Sequence, residues 1–525
     1  MSERAGKNSP RAVQAFAVAV IVVGVVLRWA YLGGPLSGFH QFNEAFYLDL
    51  AARDAARGVF DWFTHPLDYN NPPLYGALLS WLFRAGGTSV VWGRAISALA
   101  GTATIWFTYA LGRTVYDRRV GVIGAALVAV TPAMVLLSHN TQVDSLFVCL
   151  LVASVWLYAS AVRSGRGAHG VLGGLVLGLS FMTKQPAILV FAVLAMWETW
   201  RGGGLTWLRD KRPWLYFAGF LASGIPWYAA RVFIDWQDFT ASVSGIVGSH
   251  GIAWNTRGFW IDSFGIEFVY AISLLAVFAL VPGLVTVVRR RSQGDKLMLS
   301  AVAVYAVFYV IYHHHTYYLI VLVPFVVLVI SRALTQLVSA KERAGIVIVG
   351  VLLLSMSLAS LLMIAGHKWS GWTPAQIRTS LDVPLDEVLV YTTADAQDNI
   401  GPALEIENPG LEIVTLEPGV LLLEPSSGFL GPKELLLSFE LINTNTNEPA
   451  PEYLPMTRAV VRPVGFGYAV WQEPANPHFF RNGTWRVERV GPPWTFGLSE
   501  ISAPADFRLY DVAFVNEWYA GGTTP

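Results

Sequence analysis

Long apolar stretches of this chain end, one after another, in short clusters of arginine and lysine. A helix needs about 17–25 mostly apolar residues to cross a bilayer. About eleven stretches meet that length, starting near Val13, Trp92, Val120, Ser145, Val171, Pro186, Trp214, Phe264, Leu297, Tyr317 and Gly345. Cations precede the first stretch at Arg4, Lys7 and Arg11. They recur at Arg113 to Arg119, Arg163 and Arg166, Arg201 to Arg212, Arg289 to Lys296, and Arg332 to Arg343. With every stretch crossing, all of these clusters share one side, which the positive-inside rule makes cytoplasmic. The expected fold is therefore an α-helical polytopic membrane protein, with its N-terminus cytoplasmic and everything after His367 outside. The first stretch lacks an Ala-x-Ala cleavage pattern and reads as a retained span.

Composition agrees and narrows the functional classes. With 54% hydrophobic and 14% charged residues and a mean hydropathy of +0.48, the 525 residues do not form one soluble core. A net charge of zero argues against nucleic acid as a partner. The single cysteine, Cys149, sits in an apolar run, allows no intramolecular disulfide and reads as a small core residue.

The first outside loop, about residues 33–91, holds two segments too short to span. In one, Phe46, Tyr47, Leu50 and Ala51 form an apolar helical stripe opposite Asp49, Arg53 and Arg57. The other opens at Pro72-Pro73, residues suited to the first turn of a helix, and runs through Leu74, Leu78, Leu79 and Leu82. Packing at the membrane surface accounts for most of these residues.

Four sets of polar residues reach the same outside boundary. Glu44 lies among apolar neighbours in Phe42-Asn43-Glu44-Ala45-Phe46-Tyr47. Asp144 ends the short turn His139-Asn140-Thr141-Gln142-Val143-Asp144, Lys184 follows the fifth span, and His313-His314-His315-Thr316-Tyr317-Tyr318 joins the ninth and tenth. Ionisable groups at membrane depth are expensive and usually functional, and a cavity accounts for their clustering. Structural readings stand beside the functional ones: an ion pair with Arg94 for Glu44, a helix N-cap for Asp144, and snorkelling for Lys184. Three consecutive histidines converge poorly on one ion and no second ligand set accompanies them, so no metal or cofactor is expected.

At these residues the chain resembles the GT-C superfamily of membrane glycosyltransferases, in particular the protein O-mannosyltransferase and lipid A aminoarabinose transferase branch. The likeness covers about residues 10 to 365. The family's acidic Asp-Glu motif and following aromatic are matched by Asn43-Glu44 and by Phe46-Tyr47. Its Pro-Pro-Leu-Tyr segment is matched by Asn71-Pro72-Pro73-Leu74-Tyr75. Asp144 matches an acid in the next outside loop, Lys184 a lysine after the fifth span, and His315-Thr316-Tyr317-Tyr318 with Pro324 a His/Arg-x-Tyr-Tyr segment. The sequence departs at Asn43, where relatives carry Asp, so either Glu44 acts alone or the chemistry is altered.

The resemblance implies a polyprenyl-phosphate sugar donor, a lipid, glycan or protein acceptor approaching from outside, and inversion at the anomeric carbon. Glu44 and Asp144 are the candidate catalytic acids; Asn43, Tyr47, Asn71, Tyr75, His139, Lys184, His315 and Tyr318 are candidate substrate-binding residues. A carboxylate within reach of the acceptor hydroxyl serves as general base, and negative charge stabilises an oxocarbenium-like state. A cation such as Lys184, with His315 and Tyr318 behind it, stabilises the departing phosphate. No Asp-x-Asp motif for a metal-nucleotide sugar is present. The Gly- and Ser-containing loop from Asp235 to Asp262 reads as a gate or as an ordinary linker.

After His367 the apolar runs shorten to strand length. Residues 387–391, 411–414, 435–442, 459–471, 484–490 and 507–512 read as strands, with a helix at 394–407 in a βαβ-like opening and a turn at Asn482-Gly483. The expectation is a transmembrane domain over 1–366 and an extracytoplasmic α+β domain, mainly β, over 367–525. A transporter of lipid-linked saccharides and a noncatalytic membrane scaffold remain as alternatives. The first should show internal repeats; the second accommodates Asn43.

Overall fold

The structure is a computed structural model that describes residues 9–33, 41–66, 71–241, 267–311, 316–364, 389–393, 412–416, 434–437, 442–443, 448–449, 456–464 and 467–474. It divides into two units, Met1–Leu32 with Leu50–Met363, and Gly33–Asp49 with Ile364–Pro525.

The first unit is helical. Its elements are α1 (Ser9–Trp29), the end of α2 (Gln41–Ala56), α3 (Asp61–Thr64), α4 (Leu74–Gly86), α5 (Val90–Val115), α6 (Arg118–Ala129), α7 (Pro132–Leu137), α8 (Val143–Ser164) and α9 (Gly167–Phe181). They continue with α10 (Val190–Gly202), α11 (Lys211–Gly224), α12 (Pro226–Ile234), α13 (Glu267–Ile272), α14 (Leu274–Arg290), α15 (Gln293–Ile311), α16 (Val323–Ala340) and α17 (Glu342–Ile364). Short 3-10 turns run over Gln185–Leu189, Leu205–Arg209 and Thr316–Leu322.

All eleven expected stretches are helical over their described residues, but several are broken. Among the described residues, five helical segments are long and apolar enough to cross a bilayer: Val90–Val115, Val143–Ser164, Gln293–Ile311, Tyr318–Ala340 and Glu342–Ile364. A sixth is obtained by joining α11 and α12 across a 48° bend. Ala15–Trp29 and Gly167–Phe181 are shorter apolar helices.

The breaks have local causes. Pro132 forces Thr131 out of the helical region (ψ 124°) and then opens α7. Pro226 restarts the chain as α12. Lys184 is itself extended (φ −158°, ψ 130°), separating α9 from the turn at Gln185–Leu189.

The carbonyls left open where α6 stops are met by Arg28 of α1, which is fully buried. It donates to Val128 O at 3.0 Å, to Ala129 O, and to Gly24 O in its own helix at 2.8 Å. An arginine in an apolar helix is thereby paired with carbonyls that would otherwise lack donors. α9 and α11 approach until a Cβ on Gly174 would overlap the Tyr216 carbonyl oxygen. Small residues allow such backbone contact between helices, where packing replaces the hydrophobic drive available in water.

In the second unit the described strands are β1 (Leu389–Thr393), β2 (Glu412–Leu416), β3 (Glu434–Leu437), β4 (Ile442–Asn443), β5 (Glu448–Pro449), β6 (Met456–Val464) and β7 (Gly467–Pro474). β1 is central and pairs in parallel with both β2 and β3, Leu389 lying opposite Glu412 and Glu434. Parallel pairing requires crossover connections; the helix expected at 394–407 lies outside the described residues, as do the strands expected at 484–490 and 507–512 and the turn at Asn482-Gly483.

Two of the expected strands are divided. Residues 435–442 fall partly in β3 and partly in β4, and 459–471 form two antiparallel strands that part between Val464 and Gly467. Gly465 and Gly467 interrupt that run in the sequence, and glycine weakens a strand interior.

Candidate active site

The site is best defined where α8 begins. Gln142 occupies the helix N-cap position and Asp144 stands in the first turn, without a side-chain cap bond. This replaces the N-cap reading of Asp144. A carboxylate in the first turn still gains from the positive end of the helix dipole. Asp144 is 1% exposed, and both of its oxygens are engaged. Lys184 Nζ donates to Oδ1 at 2.7 Å and Gln142 Nε2 donates to Oδ2 at 2.9 Å. Lys184 also sits over the Tyr318 ring, 3.7 Å from its centre, within the range of a cation–π contact.

Four chain segments thus converge: the turn before α8, the break after α9, the start of α8 and the turn at Thr316–Leu322. The break matters, because the extended backbone at Lys184 keeps that residue out of the helix and lets its ammonium reach across to α8. Tyr305 of α15 fastens the same break by donating to Pro186 O at 3.2 Å. On the other side, Leu74 N at the start of α4 donates to Met182 O at 2.9 Å.

Tyr75 follows in α4. It is buried, with its hydroxyl donating to Gly93 O at 2.9 Å and lying 3.0 Å from Ser97 Oγ, which is in turn 3.2 Å from Gln142 O. A polar path therefore runs from Tyr75 through Ser97 and Gln142 to the ion pair. Gly93 makes the close approach possible, since a Cβ there would overlap the Thr141 side chain. Gln142 Oε1 and Ser145 Oγ are buried beside Asp144 and have no hydrogen-bond partner among the described residues. Buried polar groups are rarely left so, and here they offer an acceptor and a hydroxyl to a polar ligand.

His139 serves differently. Its Nε2 meets the Leu27 carbonyl oxygen; a carbonyl only accepts, so that nitrogen carries the proton. This contact ties the turn before α8 to α1. Asn71 is half-buried just ahead of Pro72.

In α2, Glu44, Tyr47, Leu48 and Ala51 follow helical spacing and are all buried, whereas Phe46 is exposed. The buried stripe therefore includes Leu48 and Glu44 rather than Phe46, and the carboxylate belongs to the apolar face of its helix. Tyr47 packs edge-on to Phe46 at 5.3 Å. Asn43 lies in the same helix; its side chain, like His315 and the loop over 242–262, lies outside the described residues. Among the described residues no group of three or more His, Cys, Asp or Glu side chains is arranged to hold a metal ion.

Gln142 and Ser97 were not singled out in the sequence. Gln142 lies two residues from Asp144 in the same polar turn, a signal that was available. Ser97 lies inside an apolar helix and carries no such signal.

Residues 70–229 match the family model described as dolichyl-phosphate-mannose-protein mannosyltransferase. That range includes Asn71, Tyr75, His139, Asp144 and Lys184. YkcB of Bacillus subtilis (strain 168), provisionally named a mannosyltransferase, is 27% identical over 172 residues; the match covers 31% of this chain and 22% of that protein. The crystal structure of ArnT from Cupriavidus metallidurans bound to undecaprenyl phosphate is similar with a TM-score of 0.58 at 15% identity, over 74% of this chain and 85% of that one. The Archaeoglobus fulgidus oligosaccharyltransferase AglB, in complex with an inhibitory peptide and a dolichol-phosphate, is similar with a TM-score of 0.52 at 15% identity, over 76% and 64%.

The fold is that of the GT-C membrane glycosyltransferases. Within this GT-C fold the Asp144–Lys184 pair stands at one end of α8, a helix of membrane-spanning length.

Proposed function

We propose that this chain is a membrane glycosyltransferase that moves a sugar from a polyprenyl-phosphate-linked donor to a lipid, glycan or protein acceptor on the extracytoplasmic face. The observation that carries the reading is the buried Asp144–Lys184 pair, with Gln142 and Tyr318 around it, at the end of a membrane-length helix in a GT-C fold. The neighbours' lipid phosphates, undecaprenyl phosphate on ArnT and dolichol-phosphate on AglB, support the donor class.

In this reading Glu44 accepts the proton of the acceptor hydroxyl as its oxygen bonds to the anomeric carbon. The bond from that carbon to the phosphate oxygen breaks on the opposite face, and the electron pair leaves with the lipid phosphate, inverting the configuration. Asp144 is a positioning residue for Lys184. It holds the ammonium through one oxygen and so fixes where that positive charge meets phosphate charge as it develops. Tyr318 and His315 complete the phosphate side; Asn43, Tyr47, Asn71, Tyr75 and His139 shape the sugar and acceptor side. Glu44 does this work without the Asp usual at position 43. The reading uses no metal or cofactor, takes about eleven spans with the N-terminus cytoplasmic, and assigns residues 367–525 to an outside domain.

The test is transfer by purified, folded protein from synthetic polyprenyl-phosphate sugars, with Glu44→Gln in parallel. Transfer by wild type that is abolished in the variant supports the reading. Equal transfer by both removes Glu44 as the base, and no transfer from any such donor favours the scaffold or the transporter.

A further inference from the structure

The opposite end of α8 leads to a second site. Arg163, in the last turn of α8, donates to Thr114 O at 2.9 Å, which fixes the α8 C-terminus beside the end of α5. α6 starts three residues after α5 ends, and at its start opens a cleft of about 750 Å³ lined by Asp117, Arg118, Arg119, Arg290, Arg332 and Gln336. Since 22 residues of helix span about 33 Å, this cleft lies roughly a bilayer's hydrocarbon thickness from the Asp144–Lys184 pair.

Its chemistry is cationic. Four arginines face one carboxylate in the lining, and Asp117 is already occupied in capping α6 through Arg119 N at 2.8 Å and Val120 N at 3.0 Å. Among the described residues Arg118, Arg119 and Arg290 form no ion pair. Arg332 is held in place, its guanidinium 5.0 Å from the Tyr116 ring centre and its Nε 3.7 Å from the buried Asp295. Gln336 Nε2 is buried without an acceptor among the described residues. Guanidinium groups in such a cluster match phosphate oxygens, and basic clefts between membrane helices bind anionic headgroups.

A lipid rather than a soluble anion is indicated by what adjoins the cleft. α14, which delivers Arg290, exposes Phe278, Val281, Val285 and Val288 at positions i, i+3, i+7 and i+10, an apolar face running toward the cationic end of the helix. An acyl chain has a surface to follow and its headgroup has cations at the end of it.

We propose that this cleft binds the phosphate headgroup of an anionic phospholipid, at the end of the helical unit opposite the candidate active site. The proposal needs α8 to cross a bilayer but does not need sugar transfer. Native mass spectrometry of the purified full chain, titrated with phosphatidylglycerol or phosphatidylcholine, tests it. Wild type should retain phosphatidylglycerol with at least about tenfold preference, because clustered arginines favour the anionic headgroup. Arg118→Gln/Arg119→Gln/Arg290→Gln, all exposed positions, should lose that preference while melting as wild type does. Arg209→Gln/Lys211→Gln/Arg343→Gln, which removes as many exposed cations elsewhere, should keep it. Equal retention of the two lipids by wild type, or equal loss in both triple variants, overturns the proposal. So does displacement of the lipid by inorganic phosphate at the same concentration, which assigns the cleft to a soluble anion.

Discussion

Lys184 Nζ donates to Asp144 Oδ1 at 2.7 Å across 40 residues of sequence, and the Tyr318 ring covers the ammonium. With the lysine side chain 13% exposed and the aspartate 1%, neither charge has water to fall back on. Removing one partner leaves the other buried and uncompensated, at a cost of about 3–5 kcal/mol, whereas replacing both with apolar groups of similar size is often nearly neutral. Asp144→Leu and Lys184→Met should therefore each lower the melting temperature strongly, and the double variant should recover most of the loss. Additive losses in the thermal melts would mean that the two residues are not coupled.

Glu44→Gln keeps the shape of the side chain and removes its basicity. Because Glu44 lies on the buried face of α2, the amide should fold. A missing general base typically slows a reaction by about 10²- to 10⁴-fold. The expected result is that loss in the rate of sugar transfer, with donor binding retained in a separate equilibrium measurement. Loss of donor binding in step with rate would instead make Glu44 a binding group.

The elements that position these residues differ in how readable they are. The start of α8 is plain in the sequence, because a polar run of six residues meets a long apolar one, and α4 is announced by Pro72-Pro73. The pairing of Asp144 with Lys184 is not, since two charges far apart in sequence are matched only by the packing of α8 on α9. Of the apolar stripe expected in α2, Tyr47, Leu50 and Ala51 are buried and Phe46 is not, while the helix turns Leu48 and Glu44 inward with them. Broken spans were merged because hydropathy averages over a proline or an extended residue, while the backbone at Thr131 or Lys184 does not.

Asp210 caps α11 outside the membrane-length segments. It accepts from Arg212 N at 2.9 Å and from Arg212 Nε at 2.7 Å, and these side-chain bonds hold its carboxyl down at about 2. A folded-state value below the unfolded one contributes stability that is complete above about pH 4 and is lost as pH falls toward 2. Asp210→Asn keeps the capping oxygen but loses the charge paired with Arg212, so it should lower the melting temperature only slightly at neutral pH, on the scale of about 0.2–1 kcal/mol for a part-exposed ion pair, and should flatten the acid limb. An unchanged limb in the variant would show that Asp210 is not the titrating group.

Gly93 links the polar path to the backbone in two ways. Its carbonyl accepts from Tyr75, and its missing Cβ lets Thr141 sit against α5. Gly93→Ala should push the turn before α8 away, carrying Gln142 and so the ion pair with it. Overpacking of this kind costs about 1–3 kcal/mol. The Thr141 methyl and hydroxyl are the nearest atoms to the added carbon and its Cβ the next, at 2.9 Å, so Thr141→Ala should restore part of the loss but not all of it. The coupling is read from melts of the two single variants and the double. Tyr75→Phe supplies the contrast: it removes the hydroxyl's hydrogen bonds to Gly93 O and Ser97 Oγ without moving the turn, and should cost about 0.5–1.5 kcal/mol for each bond lost, with no interaction with Thr141→Ala. If Gly93→Ala behaved like Tyr75→Phe, with a small loss that Thr141→Ala did not relieve, the turn would be tolerant of displacement and Gly93 would matter only through its carbonyl.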